Sequence, residues 1–118
     1  MESRDRYFTQ SWCERMERKR RNMLKLASEA HSNAEKLATI LYRKYRASRV
    51  FLFGSLVSRN MFGARSDIDL AVEGIPGMKF FDAAGELLMK SHFNVNLIPL
   101  EDCTQKLREN ILAIGEKL

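Results

Sequence analysis

The fold class this sequence predicts is a two-layer α/β sandwich, a small mixed sheet of about three strands covered by helices. Three observations predict it. Short apolar runs at Val50–Phe53, Ser66–Glu73 and Phe93–Ile98 are bounded by turn residues. The segments before, between and after them carry apolar residues at helical spacing. The two kinds of segment alternate, which favours a sheet with helices laid on it.

Residues 1–8 carry no periodic signal, and a frayed start is expected there. From about Thr9 to Tyr45 there is neither Gly nor Pro. Met23, Ala27, Ala30, Ala34, Leu37, Leu41 and Tyr45 recur at helical steps, and Trp12 and Met16 extend the same face upstream. The pattern fits one long helix, or two with His31-Ser32-Asn33 capping the second. Such an amphipathic helix can bury its face on its own domain or against a second copy, a homodimer.

Arg46 to Arg49 leads into the first strand, Val50–Phe53. Ser55 to Met61 is expected to make one or two helical turns, and Phe62-Gly63-Ala64 a loop before the second strand. Gly74-Ile75-Pro76-Gly77 signals a turn. Phe80, Phe81, Ala84, Leu87 and Leu88 mark a helix over about 78–90. The third strand stops at Pro99. Glu101-Asp102 opens a last helix, with acids favourably placed at its N-terminus, and Leu107, Ile111, Leu112 and Ile114 form its apolar face.

With 118 residues the chain suits one domain. No apolar run is long enough to cross a membrane, and the first twenty residues lack the apolar core of a signal peptide, so a cytoplasmic protein is expected. Cys13 and Cys103 read as reduced structural thiols, and the isolated His31 and His92 give no zinc pattern. The net charge of +5 is uneven. Residues 1–49 hold 13 Lys and Arg against 6 Asp and Glu, whereas residues 50–118 hold 7 against 9. Arg18-Lys19-Arg20-Arg21 reads first as an exposed basic turn and second as a contact for a phosphate-bearing or acidic partner. With no aromatic platform or reading motif nearby, nucleic acid ranks last among partners.

The chemistry concentrates between Val50 and Val72. Gly54 lets a backbone approach a bulky ligand, and Ser55 adds a hydroxyl. In a strand Asp67 and Asp69 point one way while Ile68 and Leu70 point into a core. Aspartate is a poor strand former, so two in a short apolar strand need a reason. A divalent cation relieves their repulsion, because hard cations favour carboxylate oxygens. A strand ending in Gly-Ser beside a strand with two carboxylates is a site for a metal-bound polyphosphate.

Gly54-Ser55, a spacer, and Ser66-Asp67-Ile68-Asp69-Leu70-Ala71-Val72 resemble the signature of the DNA polymerase beta-like nucleotidyltransferases, and among them the minimal nucleotidyltransferase (MNT) proteins. The resemblance covers most of residues 34–118, which implies a transferase domain there and leaves residues 1–33 as a basic helical extension. It implies that Gly54 and Ser55, with Arg65 and Ser66, hold the phosphates of a nucleotide, ATP by the same likeness. It implies that Asp67 and Asp69 are catalytic and bind magnesium. The expected chemistry is attack of a hydroxyl on the α-phosphorus, with pyrophosphate leaving. The implied acceptor is a partner protein such as a HEPN-type toxin, which makes this chain an antitoxin.

Two positions depart from the family. An arginine is common three residues after the motif serine; here that place is Ser58, and Arg59 follows. The third carboxylate position reads Asn96, an amide that can ligate a metal but brings no charge and takes no proton at neutral pH. Glu73 shares the expected face of Asp67 and Asp69, four residues beyond Asp69 and so two same-face steps further along. A second function therefore stands beside the first: a weakened transferase that neutralises its partner by contact.

Overall fold

The computed structural model describes residues 2–58 and 62–118, with side-chain detail from residue 10 onward. Helix α1 (Glu2–Arg43) is followed by strand β1 (Arg49–Phe53), the single turn α2 (Ser55–Ser58) and strand β2 (Ile68–Glu73). Helix α3 (Gly77–Lys90), strand β3 (Val95–Pro99), a 3-10 turn (Leu100–Asp102), helix α4 (Gln105–Ile114) and strand β4 (Glu116–Lys117) complete the chain. The sheet order is β3-β2-β1-β4. Strand β1 runs antiparallel to β2 and β4, and β3 runs parallel to β2, so the sheet is mixed as expected.

The α/β fold class holds, with adjustments. A short fourth strand, β4, joins the three expected, and β3 runs Val95–Pro99 rather than Phe93–Ile98, with Pro99 its last paired residue opposite Val72. The long apolar periodicity is one helix, not two. His31, Ser32 and Asn33 do not cap a second helix; they lie inside α1. His31 Nε2 instead meets Glu116 at 2.9 Å and its Nδ1 meets Glu35 at 2.8 Å, while Asn33 Nδ2 donates to Ser91 Oγ at 2.7 Å. Residues 2–8, expected to fray, belong to the same helix. Strand β2 begins at Ile68 rather than Ser66, because Ser66 closes a turn with Gly63. The last helix opens at Gln105, with the Thr104 hydroxyl accepting from Leu107 N at 3.3 Å, and Glu101-Asp102 falls in the 3-10 turn before it. The expected helical turn beyond Ser58 lies outside the described residues.

Strand alternation explains the two-sided packing. Val50, Leu52, Ile68, Leu70 and Val72 meet Ala30, Ala34, Leu37 and Leu41 of α1 and Ala83 and Leu87 of α3. The opposite face is smaller, with Phe51 and Ala71 against Leu100 and Ile111. Alanines at the α1 crossing let that helix lie close to the sheet. Phe62, fully buried, packs edge-on to Phe93 with ring centroids 6.1 Å apart and roots the loop that leads into β2. Tyr42 ties α1 to the sheet twice: its hydroxyl accepts from Val50 N at 2.9 Å and donates to Leu118 O at 2.9 Å.

The base of α1 is clamped to α3 by charge. Glu86 accepts from Lys44 and Tyr45, each at 2.6 Å, and from Lys90 at 2.8 Å. These donors pull its carboxyl from 4.5 down to about 2, and the same carboxylate pushes the Tyr45 phenol up to about 12. A depressed carboxyl stabilises the fold above its ordinary range and loses that contribution as pH falls toward 2; a raised phenol loses its contribution as pH climbs through 12. Melting curves should therefore separate wild type from Glu86→Gln at neutral pH and bring them together as the pH approaches 2. A difference that persists unchanged at the acid end would show that the charge of Glu86 is not what clamps the helices.

Among the described residues, no helix is long and apolar enough to cross a membrane. Cys13 is exposed, and Cys103 donates weakly to Pro99 O at 3.4 Å; both are free thiols.

Candidate active site

The site forms where three strands end side by side. The register sets Phe53 opposite Asp69 and Asp69 opposite Asn96. Gly54, the residue after Phe53, turns the chain with φ 78°, a region open to glycine. A Cβ at Gly54 would run into Asp69 Oδ2 and stand 3.2 Å from its Cγ. The missing side chain is thus the space the Asp69 carboxylate fills. The bend and this aspartate meet, as the sequence reading requires.

Asp69 is half-buried, and burial is the main reason its pKa is raised. A hydrogen bond from the Asn96 side chain works against the rise, and the charge of Asp67 adds to it. Asp67 sits one residue before β2, exposed, close enough for that repulsion to be felt. Asn96 is exposed on β3. The structure therefore gathers Gly54, Asp67, Asp69 and Asn96 at one end of the sheet.

Ser55 is half-buried and opens α2, where its carbonyl accepts from Ser58 Oγ at 3.1 Å. Ser66 holds the neighbouring turn: Gly63 N donates to Ser66 Oγ at 3.0 Å, and Ser66 N donates to Gly63 O at 3.0 Å. Its hydroxyl already accepts one bond and keeps its proton to donate elsewhere. Arg65 is exposed on the same turn. Arg59 lies outside the described residues.

Glu73 does not join the site. It stands at the far end of β2, opposite Arg49, whose guanidinium holds it at 2.9 and 2.7 Å and keeps its carboxyl below the ordinary range. Strand ends facing each other carry this pair, which sharing a face with the aspartates could not reveal.

Among the described residues, no three His, Cys, Asp or Glu side chains cluster as a metal cage. The donors present still suit a hard cation. Magnesium is commonly held by one or two carboxylates and completed by substrate phosphates and water, and Asp67, Asp69 and the Asn96 amide oxygen are all hard oxygen donors. Burial first and the Asp67 charge second disfavour ionised Asp69, and a cation between the two carboxylates would relieve the second.

Comparison with known proteins agrees with this fold. The family model described as "Polymerase beta, Nucleotidyltransferase" matches residues 35–118. No curated protein matches the sequence. A crystal structure of the toxin–antitoxin pair MntA-HepT is similar in fold, with a TM-score of 0.55 and 21% identity over 74% of this chain and 69% of that one. A toxin–antitoxin structure with AMP-PNP is similar at TM-score 0.60 and 23% identity, covering 70% of each chain. With the sheet, the glycine bend and the carboxylates in the same residues that the family model spans, the chain belongs to the polymerase beta nucleotidyltransferase family.

Proposed function

We propose that this protein is a nucleotidyltransferase that moves a nucleotide, AMP from ATP, onto a hydroxyl of a partner protein, in the role of an antitoxin acting on a HEPN-type toxin. The observation that carries the proposal is the meeting of the Gly54 bend with the Asp69 carboxylate beside Asp67 and Asn96. The toxin–antitoxin relatives, one with AMP-PNP, support the choice of nucleotide and partner. In this reading residues 34–118 are the transferase domain and residues 1–33 its extension.

Each residue has a part. Gly54 leaves room for phosphates beside Asp69. The hydroxyls of Ser55 and Ser66 and the Arg65 guanidinium donate to phosphate oxygens. Asp67 and Asp69, with the Asn96 oxygen, would hold magnesium, which when bound neutralises charge developing on the phosphates. The acceptor oxygen bonds to the α-phosphorus, the bond to the bridging oxygen breaks, and pyrophosphate leaves. The hydroxyl proton passes to water, because Asn96 cannot accept it.

Asn96 favours a second reading: a transferase weakened in activating the acceptor, which acts on its partner by contact. Wild type and Asn96→Asp, incubated with labelled ATP, magnesium and the purified partner, separate the two. For a working transferase weakened by its amide, label should appear with wild type and rise roughly ten- to a hundred-fold with the restored carboxylate. Partner neutralisation with no label from either protein would leave contact as the function.

A further inference from the structure

Helix α1 carries its apolar line well past the domain. Trp12, Met16 and Met23 continue the stripe that Ala27, Ala30, Ala34, Leu37 and Leu41 bury against the sheet. Between Gln10 and Leu26 no side chain is buried, and Trp12 and Met16 are 55% and 50% exposed. The line is narrow, with Leu24, 39% exposed, on one edge of it. Lys19 fills the place between Met16 and Met23, and Arg15, Arg20 and Asn22 stand along its edges. Residues 10–25 hold six Lys and Arg against two Asp and Glu.

We propose that this exposed seam docks a helix of a partner protein whose apolar line is edged with acidic residues. The narrow stripe is the geometry of a helix–helix seam; an interfacial membrane helix needs a broad apolar face. The basic edges choose the partner's charge. In a parallel pair with a second copy, Arg15 would face Arg20, and in an antiparallel pair centred on the seam Lys19 would be pressed between methionines. Acidic edges on another protein answer both Arg15 and Arg20 and give Lys19 a counter-charge. Nucleic acid answers the charge alone and leaves the methionines uncovered.

A second feature places the docked helix. A groove of about 470 Å³ separates this part of α1, at Arg18, Asn22, Met23 and Leu26, from Gly63 and Ala64. Those two residues open the turn that carries Arg65 and Ser66 and leads to Asp67. A helix on the seam lies beside that turn. The docking does not rest on nucleotidyl transfer, and it is tested without nucleotide or magnesium, so failure of either leaves the other standing.

Trp12 is the single tryptophan, so its emission reports the seam directly. The full chain is titrated with a synthetic helical peptide bearing a leucine seam with glutamate edges, and with the same peptide bearing lysine edges. The glutamate peptide should shift Trp12 emission to the blue at concentrations roughly ten-fold or more below those the lysine peptide requires. Met16→Glu with Met23→Glu should abolish the response while circular dichroism stays unchanged. Equal response to both peptides, or none, overturns the proposal. So does a concentration-dependent dimer in sedimentation, which gives the seam to a second copy, or a stronger shift with phosphatidylserine vesicles or single-stranded RNA.

Discussion

Asp69→Asn should melt at a higher temperature than wild type and lose magnesium-dependent ATP binding. The first half follows from the cost of the charge. Burial and the neighbouring Asp67 both disfavour the ionised carboxyl, and the Asn96 hydrogen bond offsets them only in part. A carboxyl whose folded pKa is raised weakens the fold as pH rises and it ionises; its stabilising contribution is complete only below its ordinary range. An amide of nearly the same shape removes that penalty at neutral pH. Because the site is partly solvated, the gain is no more than about 1 kcal/mol, a rise of about 4 °C in a domain of this size. The second half follows because the amide no longer supplies the charge that a cation needs. Scanning fluorimetry with and without ATP and magnesium checks both: wild type should be stabilised by the pair of ligands, and Asp69→Asn by neither. A variant that melts lower and still responds to the ligands would remove Asp69 from the metal set.

Gly54→Val should lower stability by roughly 3 kcal/mol, on the order of 10 °C in melting temperature, and close the site in whatever fraction folds. Two costs combine. A β-branched residue at φ 78° is strained whatever surrounds it. Its Cβ also occupies the place of Asp69 Oδ2, so the carboxylate must swing away from the bend. Combining Gly54→Val with Asp69→Ala should recover the part that comes from collision and leave the backbone strain. A double variant whose loss equals the sum of the two single losses would show that the two residues do not touch in solution.

The candidate site was legible because its residues fall in two short runs of sequence. Gly54-Ser55 and Asp67-Ile68-Asp69 conflict with ordinary strand composition, and such local conflict tends to mark function. The line from Met23 to Leu41 was equally plain, since 3.6-residue spacing needs no tertiary knowledge. What stayed hidden depends on contacts distant in sequence. The two-residue β4 has no pattern of its own; it pairs with Phe51 and Leu52 of β1, next to the bond from Leu118 N to Val50 O at 2.8 Å. Ser66 read as strand because apolar residues follow it, but its paired bonds with Gly63 bend the chain and delay β2 to Ile68. Glu73 shared a predicted face with the aspartates, and only the antiparallel register shows Arg49 claiming it. Thr104 outcompeted Glu101-Asp102 as the start of α4 because a side-chain oxygen bonded to a free amide fixes a helix end more sharply than the dipole preference of two acids.

The unbroken length of α1 gives the molecule leverage. The protein measures 67 Å along its longest axis and 30 Å along the next. With no glycine or proline between Thr9 and Tyr45, the helix has no hinge at which to absorb a displacement. Tilting its seat on the sheet by about 5° would sweep the opposite end through roughly 5 Å, given a rise of 1.5 Å per residue. Whatever grips that end therefore senses small rearrangements of the sheet in magnified form, and a load applied there is returned to the strands that carry Asp69 and Asn96.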